Sequence, residues 1–412
     1  MSYSEIERCR VCGCDILVSV LELGDQALTG VFPDHPDREI VSGPLRLIKC
    51  HGQDSCGLLQ LASSFDVAQM YGDNYGYRSG LNASMVEHLC KKVRDIEELQ
   101  DLADGDLVID VGSNDGTTLS AYQNTRLDLL GVDPTAEKFK KYYPDHVAFM
   151  PEFFSRALVE KYTAKKAKVI TSFSMFYDLE DPLEFMRQVM AVLSSDGIWV
   201  FEQSYMPKMM ESNSFDTVCH EHLEFYGLYQ IKWMTETVGF NIVDVQFNDI
   251  NGGSFSVVCA KAENRRFSES PLVAEILSQE VSKGLLTLGP YLEFAKRVAS
   301  FRSELRRLLI DLRKDGKRVV ALGASTKGNV LLQYCQLDAS LIESVAEVNA
   351  EKFGRFTPGT GIPIVNEDLL LKSTPPDFVL VLPWHFRSFF EKSKKFSSIP
   401  RIYPLPDIEI VW

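Results

Sequence analysis

The stretch Val108-Ile-Asp-Val-Gly-Ser-Asn-Asp-Gly-Thr-Thr-Leu119 constrains this chain more than any other. It reads as a short apolar strand, a tight glycine turn and the start of a helix. Its pattern is D-x-G-x-x-x-G, carried by Asp110, Gly112 and Gly116. Glycine at these points lets the backbone lie against a ligand with no Cβ in the way. The next strand, over 127–132, meets Asp133 and Pro134. Asp133 falls about 20 residues past the first glycine, where a carboxylate grips the hydroxyl pair of a ribose. The G-x-G-x-x-G spacing of a pyrophosphate-bridged dinucleotide is absent. The pattern therefore points to a nucleoside without phosphate, S-adenosylmethionine, and an ordinary strand–turn–helix corner would leave Asp133 unexplained.

Around this turn the chain alternates strands and helices. Strands are expected over 107–111, 127–132, 169–172 and 198–203, with a helix over 181–193 and a stop-and-turn signal at 194–197. Two more strands flank a glycine pair, over 240–247 and 254–260. Residues from about 62 to 105 read as helical, interrupted by the tyrosine-rich turn Tyr71–Gly80, and those from about 268 to 314 read as helical and charged. A second α/β unit opens with Lys317-Arg-Val-Val-Ala-Leu-Gly-Ala-Ser-Thr-Lys-Gly-Asn329, followed by strands over 344–348 and 378–382. There a strand again meets a glycine turn and a helix start. Ser325, Thr326, Lys327 and Asn329 suit an anion at that helix start, although the Walker A spacing is missing; a packing turn with a solvated lysine is the alternative.

Five of the nine cysteines lie in the first 56 residues: Cys9, Cys12, Cys14, Cys50 and Cys56. Cys9-Arg-Val-Cys12 can place two thiolates on one ion, and Cys50 with Cys56 can supply the second pair, giving a closed structural Zn²⁺ site. A segment this poor in large apolar residues gains its stability from such a staple. The second pair is C-x5-C rather than C-x2-C, which leaves Cys14 or His51 open as a replacement ligand. The expected organisation is α/β throughout: a small zinc-binding module (1–70), a central Rossmann-like class I methyltransferase domain (71–265) and a second Rossmann-like domain (266–412).

Two of only seven histidines sit in Val218-Cys-His-Glu-His-Leu-Glu-Phe-Tyr226. Histidine suits general-base work near neutral pH, so His220, Glu221 and His222 form a candidate catalytic cluster. A second metal site and a packed structural cluster are the alternatives, and nothing marks Cys219 as a nucleophile. Ser172, Glu202 and Gln203 end predicted parallel strands, whose carboxyl ends form the ligand crevice of such sheets. Tyr75, Tyr77 and Tyr205 are further polar candidates.

Net charge of −14 and a pI near 5.1 disfavour a nucleic-acid binder. No apolar run approaches a membrane span, and the N-terminus lacks the features of a signal peptide. A cytoplasmic enzyme with no membrane, nucleic-acid or obligate protein partner is expected.

The motifs occur in a telling order: C-x2-C, Y-x-Y-R-S-G, D-x-G-x-N-x-G, H-E-H and G-A-S-T-K-G-N. In that order, across essentially the whole chain, they resemble the sugar-nucleotide C-methyltransferases that methylate C3 of branched deoxysugars. The resemblance implies zinc on Cys9, Cys12, Cys50 and Cys56, and S-adenosylmethionine on Asp110, Gly112, Asn114, Gly116 and Asp133. It implies a guanosine- or thymidine-diphosphate 4-keto-6-deoxysugar substrate held between the domains, with His222 as base, Glu221 beside it and Tyr77 near the sugar. Tyr75, Arg78, Asp178, Glu202, Gln203 and Cys219 would complete the substrate side. Cys219 stands where the family often has tyrosine, and Asp178 where it has histidine. Both changes fall on the sugar side and bear on which sugar is used. The rival readings are a sugar O-methyltransferase, an NAD-dependent dehydrogenase or epimerase, and a non-enzymatic zinc-ribbon protein.

Overall fold

The computed structural model describes residues 3–65, 78–373, 375–396 and 398–412. Tyr75 and Tyr77 lie outside the described residues. The chain opens with β1 (Tyr3–Glu5), β2 (Leu17–Ala27), β3 (Ser42–Cys50), β4 (Leu59–Leu61) and β5 (Ser63–Phe65). Strands β2, β3 and β4 form an antiparallel sheet, and β1 pairs with β5 beside it. The expectation of helix from residue 62 is therefore corrected. Ser63–Phe65 is strand, because Tyr3–Glu5 supplies its ladder partners, and among the described residues of this segment the α-helix runs over Ala83–Leu99. That helix begins where the Asn82 side chain accepts from the Ser84 N–H at 3.0 Å, a side-chain cap. It buries Leu89, Val93 and Ile96 on one face.

The middle sheet holds β6 (Leu107–Val111), β7 (Asp128–Val132), β8 (Val147–Met150), β9 (Ala167–Phe173), β10 (Leu193–Ser204), β12 (Phe240–Asn248) and β13 (Ser254–Lys261). Their order is β12-β13-β10-β9-β6-β7-β8. Five successive strands, from β10 to the edge strand β8, are parallel, and β13 runs antiparallel to both neighbours. All five residues of β6 are buried, as expected of a parallel strand covered on both faces. The order reverses at β6, whose carboxyl end meets Gly112, so the crevice of this sheet opens there. The turn signal at 194–197 lies inside β10, where the register against β9 shifts between Leu193 and Ile198; a bulge absorbs it.

Strand β11 (Glu224–Phe225) leaves the middle of the chain and pairs with β4 of the N-terminal sheet. The segment just after the histidine pair is thus stitched to the zinc module. The C-terminal sheet is β14 (Val319–Leu322), β15 (Val345–Glu347), β16 (Ile364–Asn366), β17 (Phe378–Val381), β18 (Arg401–Tyr403) and β19 (Glu409–Val411), in the order β16-β15-β14-β17-β18-β19. A 26-residue helix, Gly289–Lys314, buries Tyr291, Phe294, Val298, Phe301, Leu305 and Leu309 in one core with Leu21 and Leu23 of β2 and Val320 of β14. The N-terminal and C-terminal sheets therefore share an apolar core, and both reach the histidine segment through Phe215, Val218, Cys219 and Leu223.

Candidate active site

A cavity of about 320 Å³ opens at the carboxyl ends of β6, β7 and β9. Asp110, Gly112, Asn114, Asp133 and Asp178 line it, joined by Phe153, Phe154, Met175 and Glu180. Gly112 sits at φ +75°, and a Cβ on it would meet Met175 Cγ at 2.9 Å. Only glycine holds this turn without strain. Gly116, also at φ +75°, lies against the Tyr143 ring and shapes the loop from behind. Asp133 takes the Asn114 N–H on Oδ2 at 2.9 Å and the Thr135 N–H on Oδ1 at 2.6 Å. These donors aim the carboxylate into the cavity while leaving Oδ2 with accepting capacity.

Asp110 accepts from the Thr171 hydroxyl at 2.6 Å, and burial pushes its carboxyl up to about 7. The Asn114 side chain accepts from the Ser79 N–H at 3.0 Å. Arg78 stacks 3.9 Å from the Tyr142 ring centroid and approaches Asp115 at 3.9 Å. Asn114 and Arg78 thus tie the Ser79–Gly80 turn to the glycine loop.

Three predicted strand-end residues face elsewhere. Ser172 accepts from the Trp199 indole at 2.9 Å, fully buried. Glu202 binds His88 at 2.6 Å and Asn248 at 2.9 Å, anchoring the helix Ala83–Leu99 to the sheet. Gln203 is fully buried, and its amide has no partner among the described residues. None of the three lines the cavity. Alternation along a strand sends neighbouring side chains to opposite faces, and sequence alone could not show which residue of each end looks into the crevice. Tyr205 donates to Glu280 at 2.7 Å, away from the cavity.

The two histidines diverge. His220 is fully buried, edge-on to Phe65, with Nε2 at 3.4 Å from the Gly43 carbonyl. It packs in the N-terminal module. His222 donates from Nδ1 to the Thr217 carbonyl at 2.8 Å. That tautomer leaves the Nε2 lone pair as acceptor. Its ring lies 4.4 Å from that of Tyr177, and Tyr177 precedes Asp178, which walls the cavity. Burial first, then the Lys327 charge, push His222 down to about 4, against the Thr217 bond. Near neutral pH the imidazole is neutral, with its Nε2 lone pair unprotonated. Glu221 is pushed up by burial, and Cys219 is driven up by burial and then by Glu221; this thiol is protonated, in line with the absence of a nucleophile signal.

From the C-terminal domain, Lys327 donates to the Asn251 carbonyl at 2.6 Å, bringing its charge to the His222 side. Ser325 caps the helix Thr326–Tyr334 by accepting from the Gly328 N–H at 3.1 Å, and Thr326 is that helix's first residue. Asn329 donates to the Thr29 carbonyl at 2.7 Å. Asp216, Tyr177, Glu180 and Trp384 escaped sequence reasoning. Asp216 lay in plain view six residues before His222, while nothing local marks Trp384.

The cysteine question closes on one ligand set. The sulfurs of Cys9, Cys12, Cys50 and Cys56 all lie within 4.8 Å of one another, with Cys9–Cys56 at 3.6 Å and Cys12–Cys50 at 3.5 Å. A tetrahedron with Zn–S bonds of roughly 2.3 Å has edges of roughly 3.8 Å, so these thiols fit zinc. Cys14 instead accepts from the Ile16 N–H. The fully buried Lys49 donates to the Gly57 carbonyl at 2.6 Å and places a cation beside the thiolates. Arg10, inside the knuckle, donates to Glu180 at 3.2 Å and lies 3.8 Å from Glu224. The zinc loop is thereby linked to the cavity wall and to the histidine segment.

This sheet order, the glycine turn and the carboxylate at the end of β7 are those of a class I methyltransferase that uses S-adenosylmethionine, built here with a zinc module and a C-terminal α/β sheet. Three family models match in succession: "Putative zinc binding domain" over residues 9–71, "Methyltransferase domain" over 83–245 and "C-methyltransferase C-terminal domain" over 249–399. C-methyltransferase NovU of Streptomyces niveus is 30% identical over 98% of this chain and 97% of its own. The chain belongs to this C-methyltransferase family. Among solved structures, an S-adenosylmethionine-dependent methyltransferase of Clostridium acetobutylicum matches at 11% identity, covering 43% of this chain and 92% of its own, with a TM-score of 0.34. Magnesium protoporphyrin IX methyltransferase of Synechocystis matches at 12% identity, covering 43% and 78%, with a TM-score of 0.32. Among the described residues no helix is long and apolar enough to cross a membrane.

Proposed function

We propose that this C-methyltransferase adds its methyl group to C3 of a nucleoside-diphosphate 4-keto-6-deoxysugar. The observation that carries the reading is His222: a neutral imidazole, fixed by the Thr217 carbonyl, one residue from the turn that walls the donor cavity. A C4 ketone acidifies the C3 proton. His222 Nε2 removes that proton, and the negative charge passing to the ketone oxygen calls for a nearby cation. Lys327 is that cation in this reading. S-adenosylmethionine, held by the glycine loop and Asp133, supplies the electrophilic methyl when bound. Phe154, Phe173 and Phe185 give the cavity an apolar wall that would limit water around the donor. Asp178, on the cavity wall, faces the sugar in this reading, Cys219 acts from behind it in the core, and the helix start at Ser325 and Thr326 serves the diphosphate. Zinc shapes the N-terminal wall and takes no part in the chemistry.

The test offers thymidine- and guanosine-diphosphate 4-keto-6-deoxyhexoses and their 4-hydroxy counterparts with S-adenosylmethionine, read by mass spectrometry. The expected result is one methyl gained on a keto sugar alone, with C3–H exchange in D₂O that His222→Ala abolishes while donor affinity holds. Methylation of the 4-hydroxy sugar, or methyl gain with no need of His222, would overturn the reading.

A further inference from the structure

We infer that Trp384 and Asp216 are positioning residues for His222, so that the C-terminal domain sets the orientation of the base in the middle domain. This rests on His222 being the base. Trp384 Nε1–H donates to Asp216 Oδ2 at 2.8 Å, and both residues are buried. Asp216 belongs to the short turn Phe215–Thr217, whose last carbonyl is the acceptor for His222 Nδ1–H. The indole thus holds the residue adjacent to the one that fixes the imidazole.

The same turn is clamped on its apolar side. Phe215 lies 5.4 Å from Phe301 and 5.2 Å from Tyr334, both beyond residue 289. A second tie sits alongside: Lys327 grips the Asn251 carbonyl, and a Cβ on Gly252 would stand 3.7 Å from the Trp384 ring. The helix Met206–Glu211 holds the start of this turn, through the Ser214 N–H on the Met209 carbonyl at 2.9 Å, while Phe301, Tyr334 and Trp384 hold it from the C-terminal side. Asp216 Oδ1 has no hydrogen-bond partner among the described residues. Without the indole, the buried carboxylate would lose its one side-chain hydrogen bond and keep the attraction of the Lys327 ammonium and of nearby backbone N–H groups. The turn would shift toward Lys327, taking the Thr217 carbonyl with it. A displacement of about 1 Å at a reacting group costs on the order of 10²-fold in rate, while the donor cavity, on the far side of Tyr177, keeps its shape.

The experiment compares Trp384→Phe, which keeps an aromatic ring and removes the N–H, with Asp216→Leu and Asp216→Asn. Each is assayed for kcat, KM, donor Kd and C3–H exchange on the keto sugar that the wild type methylates. Trp384→Phe is expected to lower kcat and exchange by roughly tenfold or more, with KM and donor Kd within about twofold. Asp216→Leu should match it, the double variant should be no worse than either single one, and Asp216→Asn, which keeps an oxygen for the indole, should recover most of the loss. Full kcat in Trp384→Phe, or a loss in which KM and donor Kd rise together with the fall in kcat across all three variants, would overturn the inference. His222→Ala separates the two readings. If it is inert while Trp384→Phe is fully active, only the positioning role fails; if it still exchanges C3–H, the base assignment fails first.

Discussion

At Gly112 a single missing methyl group decides what the cavity can hold. The residue stands at φ +75° with Met175 Cγ 2.9 Å from where a Cβ would be. Gly112→Ala combines a backbone penalty of about 1–2 kcal/mol with displacement of the Met175 wall. Donor Kd measured by calorimetry should weaken at least tenfold, and an unchanged Kd would show that this turn does not touch the donor. His220 makes a different prediction. Burial holds its folded pKa at about 4, below the ordinary 6.5. Below pH 6.5 the unfolded chain binds a proton that the folded chain refuses. The neutral packing therefore contributes stability above pH 6.5 that is lost as pH falls toward 4. His220→Asn should make the loss between pH 6.5 and 5 smaller by about 1.5 kcal/mol, read by urea denaturation at both pH values. Equal pH dependence in the two proteins would refute it. The H-E-H spacing exposed both histidines in the sequence but not their separate fates, because the turn at 219–222 sends one ring to Phe65 and the other to Tyr177.

Whole elements depend on partners that are far away in sequence. The helix Leu228–Val238 begins at Gly227, which has no side chain to cap it. Glu280, from the helix Pro271–Ser282, supplies the cap: it accepts from Leu228 N–H at 2.7 Å and Tyr229 N–H at 2.9 Å. A carboxylate at a helix start also meets the positive end of the dipole. Glu280→Ala leaves two buried N–H groups and the Tyr205 hydroxyl unpaired, and should cost about 2–3 kcal/mol in chemical denaturation. A cost under about 0.5 kcal/mol would mean that water replaces the cap. All the middle-sheet strands but β8, and the helix Pro182–Val192, were legible from apolar runs, Pro182 and the Asp181 cap, since each signal is local; β8 is a four-residue edge strand with one buried residue. The N-terminal strands β2 and β3 were not: their long ladder carries bulges at Ser19/Leu21 and Glu22/Asp25, which break the alternation by which a strand is recognised.

In the whole molecule the zinc module is a wall of the site as well as a fold of its own. Arg10 joins the knuckle to Glu180, which lines the donor cavity, and β11 joins the H-E-H segment to the module's sheet. A structural tetrathiolate zinc contributes on the order of 10 kcal/mol to such a module. Prolonged chelation should release one zinc per chain by elemental analysis, open residues 9–56 to proteolysis and weaken donor binding. Retained donor affinity in the zinc-free protein would show that Arg10 and Glu180 transmit nothing. The sequence by itself determined the glycine loop, Asp133, the Cys9–Cys12 knuckle and the order of the parts, because chemistry at those points is carried by residues a few positions apart, while the choice of Cys50 and Cys56 over Cys14 or His51 waited for the fold. Only the tertiary structure decided that Asp216 meets Trp384 across 168 residues, that His222 rather than His220 adjoins the cavity wall, and that Glu202 and Ser172 serve the scaffold. Those choices are made by packing between separate sheets, and the energy that selects one face over another exists only once the faces have met.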